Sequence, residues 1–269
     1  MTAVTSSASV ARRAADARGS AWKGLLATLD NEMKGFYRQP QALAFTLVQP
    51  FILLLILNTF NFRVTLPNGE SRPYLDRLLP GLMAFSGMNV GLNSIIFAIV
   101  DDRERGVLRR VRATPLPTAS YLGGVIISRL IITAIVTFIT YASGVWIFGA
   151  TIDGSLPLLI GLTLLGAVVF IAIGLVMVSF AKSDDDVAPM FMLVLLPSVL
   201  FSGAFLDRSG LPGWLHLITG GLPLTFLTDG VQQVANLNAT IGDLGVDIAG
   251  MAIWGVVATA FAIWKFRMA

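Results

Sequence analysis

The chain has 269 residues, of which 55% are hydrophobic and 13% are charged, and its mean hydropathy is +0.76. Charged residues are too few to cover a soluble globule of this size, so the composition indicates an integral membrane protein. The sequence contains no cysteine, which excludes disulfides, thiolate metal ligands and a cysteine nucleophile.

The amino-terminal part divides into a tail and an amphipathic segment. Residues 1–19 contain arginines but no apolar run of signal-peptide length, so we expect a disordered cytoplasmic tail. Residues 20–40 repeat apolar side chains at three- and four-residue spacing, and Pro40 disfavours helix at the residue before it. This pattern predicts an elbow helix lying in the headgroup plane, with an ordinary packed amphipathic helix as the alternative.

Long apolar runs dominate the remainder of the chain. About 20 mostly apolar residues are needed to cross the hydrocarbon layer. Six runs have that length, at roughly 42–60, 78–100, 119–148, 155–181, 187–206 and 244–264. They predict an all-α membrane protein with six transmembrane helices. Fourteen lysines and arginines then lie on the side of the amino terminus and four on the other, so both termini are expected in the cytoplasm.

The outer segment 207–243 contains two shorter apolar stretches, Trp214–Ile218 and Leu222–Leu227. Each is far shorter than a membrane span. They predict re-entrant or interfacial half-helices rather than a loose loop.

The segment 101–117, "DDRERGVLRRVRATPLP", places many charges between two apolar spans. As a short helix it would carry a small apolar face of Val107, Leu108 and Val111, with arginines around the rest. Pro115 and Pro117 would end that helix. The residues alone leave two interpretations open: a helix that docks on another protein, or an ordinary cytoplasmic loop that follows the positive-inside rule.

The stretch "ERGVLRRVRATPLP" resembles the cytoplasmic coupling-helix motif of type-2 ABC exporter permeases, an acidic residue followed by G-T-L-R-R-L-R-x-T-P-L. Residues 200–218 resemble the end of the fifth span in that family, and residues 223–234 resemble its P-L-T-Y-x-x-D-A-L-R signature. Two departures are visible. Val107 replaces the usual threonine, and Gln232–Gln233 stand where the family often has arginine.

The resemblance implies an ABC exporter transmembrane domain over residues 20–269, located in the plasma or inner membrane. Two copies, or this chain and a sister permease, would assemble with two ATPase subunits, in contact with lipid and without nucleic acid. The resemblance assigns ATPase coupling to Glu104, Arg105, Val107, Leu108, Arg109, Val111, Arg112 and Pro115.

The chain lacks the G-x-x-x-x-G-K-[ST] phosphate loop, so we expect ATP and Mg²⁺ to be bound by the partner subunit. We expect no catalytic residue, cofactor or metal site in this chain. The cargo implied by the resemblance is a drug, a glycan or an amphipathic, lipid-like molecule.

Ser86, Asn89 and Asn93 share one face of the second predicted span, with Gly87 and Gly91 nearby. Amides are costly in hydrocarbon without a partner, so this face should contact protein or water. Two interpretations stay open: helix packing through small and polar residues, or a polar strip that lines the substrate path.

Arg129 is the one basic residue within a predicted span. An intramembrane charge is a functional candidate by default. Because Arg129 lies about one third along its span from the cytoplasmic end, we expect its side chain to snorkel to the interface.

Two other classes of function compete with a permease. An intramembrane lipid-modifying enzyme needs a cluster of reactive side chains at one depth, and only Asp229, Asp243 and Asp247 gather near the outer face. A secondary transporter normally shows inverted repeats and intramembrane acidic residues, and the sequence shows neither pattern.

Overall fold

The computed structural model describes residues 22–38, 40–59, 63–65, 71–104, 118–181, 184–205, 208 and 212–266. The predicted disordered tail and most of the charged segment lie outside these residues. The described part is predominantly helical.

A helix lies at each of the six predicted spans and at both predicted outer half-helices. The helices are α1 (22–38), α2 (Pro40–Thr59), α3 (Tyr74–Glu104), α4 (Thr118–Ala142), α5 (Leu156–Val178), α6 (Asp184–Phe201), α7 (Gly213–Gly220), α8 (Pro223–Leu237) and α9 (Gly245–Phe266). Among the described residues, three helical stretches are long and apolar enough to cross a membrane: Ser120–Ile147, Leu156–Val178 and Gly245–Lys265. The count of six spans stays a prediction.

Two local features are absent from the sequence analysis. A short antiparallel hairpin of β1 (Arg63–Thr65) and β2 (Ser71–Pro73) precedes α3, with Val64 opposite Arg72. The α4 helix continues into a π-helical turn over Ser143–Ile147. Three-residue strands are too short for an alternating pattern, and a π turn has the composition of the helix around it.

Helix α3 is the centre of the bundle. It packs against α2, α4, α5, α6 and α8, and Met83, Met88 and Leu92 are fully buried along it. Gly87 and Gly91 face α5: a Cβ added at Gly91 would lie 2.7 Å from the carbonyl oxygen of Ala167. Because glycine has no side chain, the backbones of α3 and α5 can approach closely here, as in other membrane helix pairs.

The outer helix α8 packs on α3, α5 and α9. Its buried residues recur at three- and four-residue spacing: Leu224, Leu227, Val231 and Val234. This apolar stripe continues beyond Leu227, where the second predicted half-helix ends, and explains why the helix extends to Leu237.

Replacing Gly81 by alanine should destabilise the bundle. The added Cβ would lie 2.0 Å from the carbonyl oxygen of Ala204, and backbone atoms cannot move aside cheaply. We expect a loss of ~1–3 kcal/mol, the usual cost of overpacking. Thermal unfolding in detergent measures it.

Gly161→Ala is the matched control, because no atom lies within 4 Å of the Cβ it adds. It should leave the melting temperature unchanged or raise it slightly. Equal melting temperatures for the two variants would contradict the close contact between α3 and Ala204.

Candidate functional site

The side chains of the predicted polar strip on α3 differ in burial and in hydrogen bonding. Ser86 is buried and its hydroxyl donates to the carbonyl of Leu82 at 2.8 Å, one turn earlier in the same helix. Asn89 and Asn93 are half-buried, and the amide nitrogen of Asn93 lies 3.5 Å from the side-chain oxygen of Asn89. Ser86 is therefore satisfied within its own helix, whereas the asparagines keep hydrogen-bonding capacity.

The asparagines and the packing glycines occupy opposite sides of α3. Successive helical residues are rotated by about 100°, which places Asn89 and Asn93 roughly 120–160° around the helix axis from Gly87 and Gly91. The glycine side is occupied by α5, where Thr163 and Ala167 contact it. The asparagine side therefore faces away from α5.

The described residues include the two helices that flank the charged segment. Helix α3 ends at Glu104 and α4 begins at Thr118, while Arg105, Val107, Leu108, Arg109, Val111, Arg112 and Pro115 lie outside the described residues. Close to the segment, Val100 of α3 and Tyr121 and Val125 of α4 are buried in one apolar cluster. The segment thus connects two helices that pack against each other.

Helix α1 packs against the first turns of α4. A Cβ added at Gly124 would lie 2.7 Å from the Cβ of Thr28 and 2.9 Å from the carbonyl oxygen of Leu25. Such a contact requires glycine on α4. The placement of α1 in the headgroup plane stays a prediction.

An ion pair joins the same two helices. The guanidinium of Arg129 donates to the carboxylate of Glu32 at 2.6 Å, and these side chains are only 10% and 16% exposed. Helix α1 thus covers the guanidinium and supplies an anion, and the prediction that Arg129 reaches the membrane interface stays a prediction. Removing one member of a buried pair typically costs ~3–5 kcal/mol, because the other charge is left buried.

The sequence analysis missed Glu32. A signal was present: Glu32 follows Leu25 and Leu29 and precedes Phe36 at spacings of seven, three and four residues, which places it on the apolar face of α1. A carboxylate on an apolar face needs a cation, and Arg129 is the one basic residue within the predicted spans.

At the other end of the bundle, the segment after α6 is held by side chains from α3 and α8. The amide of Gln232 donates to the carbonyl of Gly203 at 3.1 Å, and the hydroxyl of Tyr74 donates to the carbonyl of Phe205. Arg208 forms an ion pair with Asp229 of α8.

The three outer carboxylates are engaged in separate local contacts. Asp229 pairs with Arg208, and Asp247 accepts from the amide of Gln233 at 2.8 Å. Asp243 accepts from the backbone and side chain of Thr240, and these hydrogen bonds lower the pKa of Asp243. No group of three or more metal-binding side chains occurs in the part of the chain that the structure describes.

The comparison with known families agrees with the motif resemblance. The family described as ABC-2 type transporter matches residues 23–235. The chain belongs to this family. The family predicted from the motifs is thereby confirmed.

Three permeases illustrate the range of the similarity. The probable multidrug ABC transporter permease YbhR of Escherichia coli (strain K12) is 24% identical over 58% of this chain and 41% of its own length. The inner membrane transport permease YadH of the same strain is 25% identical over 79% of this chain and 81% of its own length. The putative transport permease ycf38 of Porphyra purpurea is 26% identical over 74% and 69%. The match to YbhR therefore spans about two fifths of that protein.

The structure explains how Gln232 and Gln233 can stand where the family often has arginine. Both glutamines donate hydrogen bonds, one to a backbone carbonyl and one to a carboxylate. Neutral amides provide the donors at these positions without adding charge next to Arg208.

Replacing Tyr74 by phenylalanine should weaken the attachment between α3 and the segment after α6. The change deletes one donor to the carbonyl of Phe205, which typically costs ~1 kcal/mol. Thermal unfolding in detergent measures it. Tyr37→Phe is the control, because Tyr37 is 61% exposed and should tolerate the change.

The stabilisation of the fold by Tyr74 should also depend on pH. Burial raises the pKa of Tyr74 above its ordinary value, and the nearby Arg77 opposes this effect. A raised folded-state pKa means that the stabilisation is complete below pH ~10 and is lost as the pH rises further. Equal losses of stability at alkaline pH in the native protein and in Tyr74→Phe would contradict this role of Tyr74.

Proposed function

We propose that this permease exports a substrate from the cytoplasm, driven by a separate ATPase subunit. The observation that carries the proposal is the placement of the 101–117 motif between α3 and α4, two helices that pack against each other. A force applied to the segment acts on both helices. Both termini are proposed to be cytoplasmic, in a bacterial inner membrane.

The proposed docking surface is the apolar face of the segment. Val107, Leu108 and Val111 fill a groove on the ATPase, while Glu104 and the arginines pair with charges at its rim. Buried apolar anchors usually supply most of an interface's binding energy, and rim charges influence orientation and rate of association. Two permeases, identical or sisters, assemble with two ATPase subunits.

The substrate path is proposed to run along the asparagine side of α3. Gly87 and Gly91 account for the packing on α5, so Asn89 and Asn93 are not needed for that contact. Half-buried amides at this depth are best satisfied by water or by a polar group of the cargo.

The proposed cargo is a drug, a glycan or an amphipathic, lipid-like molecule. The name of YbhR, a probable multidrug permease, supports a drug-like cargo in one relative. The motif resemblance supports the wider set.

Val111→Asp and Leu108→Ala should weaken assembly with the ATPase. Loss of a buried anchor costs ~2 kcal/mol or more, which corresponds to about thirtyfold in affinity. Copurification of the ATPase and ATP hydrolysis by the reconstituted complex measure the effect.

Arg105→Ala is the control within the same segment. A rim charge should cost less, and its effect should diminish as salt is added. Normal assembly and hydrolysis in the Val111→Asp complex would show that the segment is only a positively charged loop.

Asn93→Cys should react with a membrane-impermeant maleimide if the asparagine side lines a water-filled path. The chain has no native cysteine, so the label is specific. Val90→Cys is the control, because Val90 is 3% exposed. Equal protection of both cysteines in the assembled complex would assign Asn89 and Asn93 to helix packing instead.

A further inference from the structure

We propose that Glu32 and Arg129 are positioning residues of the transport cycle: their ion pair makes α1 and α4 move as one unit when the 101–117 segment is displaced. This inference rests on the proposed function, in which that segment receives the ATP-driven motion.

The contacts between α1 and α4 advance together along both helices. Leu25 and Thr28 lie against Gly123 and Gly124, and one to two turns later Glu32 meets Arg129. Helices that crossed steeply would touch at one point only. Helix α1 therefore runs beside the first part of α4, in the same direction.

The ion pair fixes the axial position of this contact. A slip of one helical turn moves a side chain by ~5.4 Å, which would separate two groups now 2.6 Å apart. Because both side chains are largely covered by protein, the separated charges would have little water to replace the lost partner. The close contact at Gly124 favours the same register, and the ion pair adds a preference that depends on charge.

Helix α1 also reaches α3. Met33 and Phe36 pack on a cluster formed by Val90 of α3 with Ile132 and Val136 of α4. Helix α1 thus bridges the two helices that flank the charged segment, and α2 follows it directly in the chain. Displacement of the segment would be passed through α4 to α1 and on to α2.

A second ion pair on α1 provides a matched control. Lys34 and Asp30 are also 2.6 Å apart, but both side chains are 61% exposed and belong to α1 alone. Asp30→Asn removes a charge from the same helix without affecting its contact with α4.

The experiment follows the distance between α1 and α4 in the full complex with its copurified ATPase. Spin labels are placed at Trp22→Cys on α1 and Ile135→Cys on α4, which are 62% and 40% exposed. Helical rise places them ~24 Å apart along the shared direction. The distance is measured without nucleotide and after trapping with ATP and vanadate, in the native background and in E32L, R129M, E32L/R129M and D30N.

We expect one narrow distance, unchanged by trapping, in the native and D30N complexes. In E32L and R129M the trapped distance should broaden or shift by about one helical turn, ~5 Å, and the melting temperature should drop. E32L/R129M removes both charges of the pair, so the melting temperature should recover while the shift on trapping persists. If the pair only stabilised the fold, the melting temperature and the fixed distance after trapping would recover together in E32L/R129M.

Two results would overturn the proposal. One is a native distance that changes on trapping, because α1 and α4 would then move separately. The other is an E32L/R129M distance that stays fixed, because the pair would then be dispensable for joint movement. Failure of the proposed function looks different: Val111→Asp would retain the ATPase and its hydrolysis, whereas the Glu32 variants test only the connection behind the segment.

Discussion

Close backbone approach between α3 and α5 is the constraint on which the bundle depends. In hydrocarbon, burying one apolar side chain against another gains little over contact with lipid, so helix association relies on tight packing and hydrogen bonds. Glycines along α3 allow this packing: Gly87 and Gly91 face α5, and Gly81 faces the carbonyl of Ala204. Larger side chains there would push apart the helices that surround α3, and each proposed functional element is attached to one of them.

With one side of α3 occupied by α5, the other features of the helix become interpretable. The asparagines lie away from the glycine side, Val90 faces the cluster that also receives α1, and Glu104 ends the helix at the charged segment. One helix therefore carries the proposed path and leads into the proposed coupling segment. Motion of α3 at the charged segment would therefore be passed along the helix to its asparagine side.

The positions of the helices could be predicted from sequence because long apolar runs have few alternative structures in a membrane. The family could be predicted because the "ERGVLRRVRATPLP" motif is distinctive. The hairpin before α3 and the extension of α8 to Leu237 were not predicted, since strand pairing and packing partners determine them. The Glu32–Arg129 pair joins residues 97 apart in the chain, and periodicity within one helix cannot identify such a partner.

Polar contacts and close packing are distributed differently along the bundle. Charged and amide contacts hold one end, where Tyr74, Gln232 and Asp229 bind the segment after α6. Glycine contacts hold the middle, where an unpaired polar group is most costly. Glu32–Arg129 departs from this division, because it places a charge pair within an apolar helix contact. Two apolar side chains would be easier to bury at this contact than two charges. A charge pair there is therefore better explained by a need for one fixed register between α1 and α4 than by a need for stability.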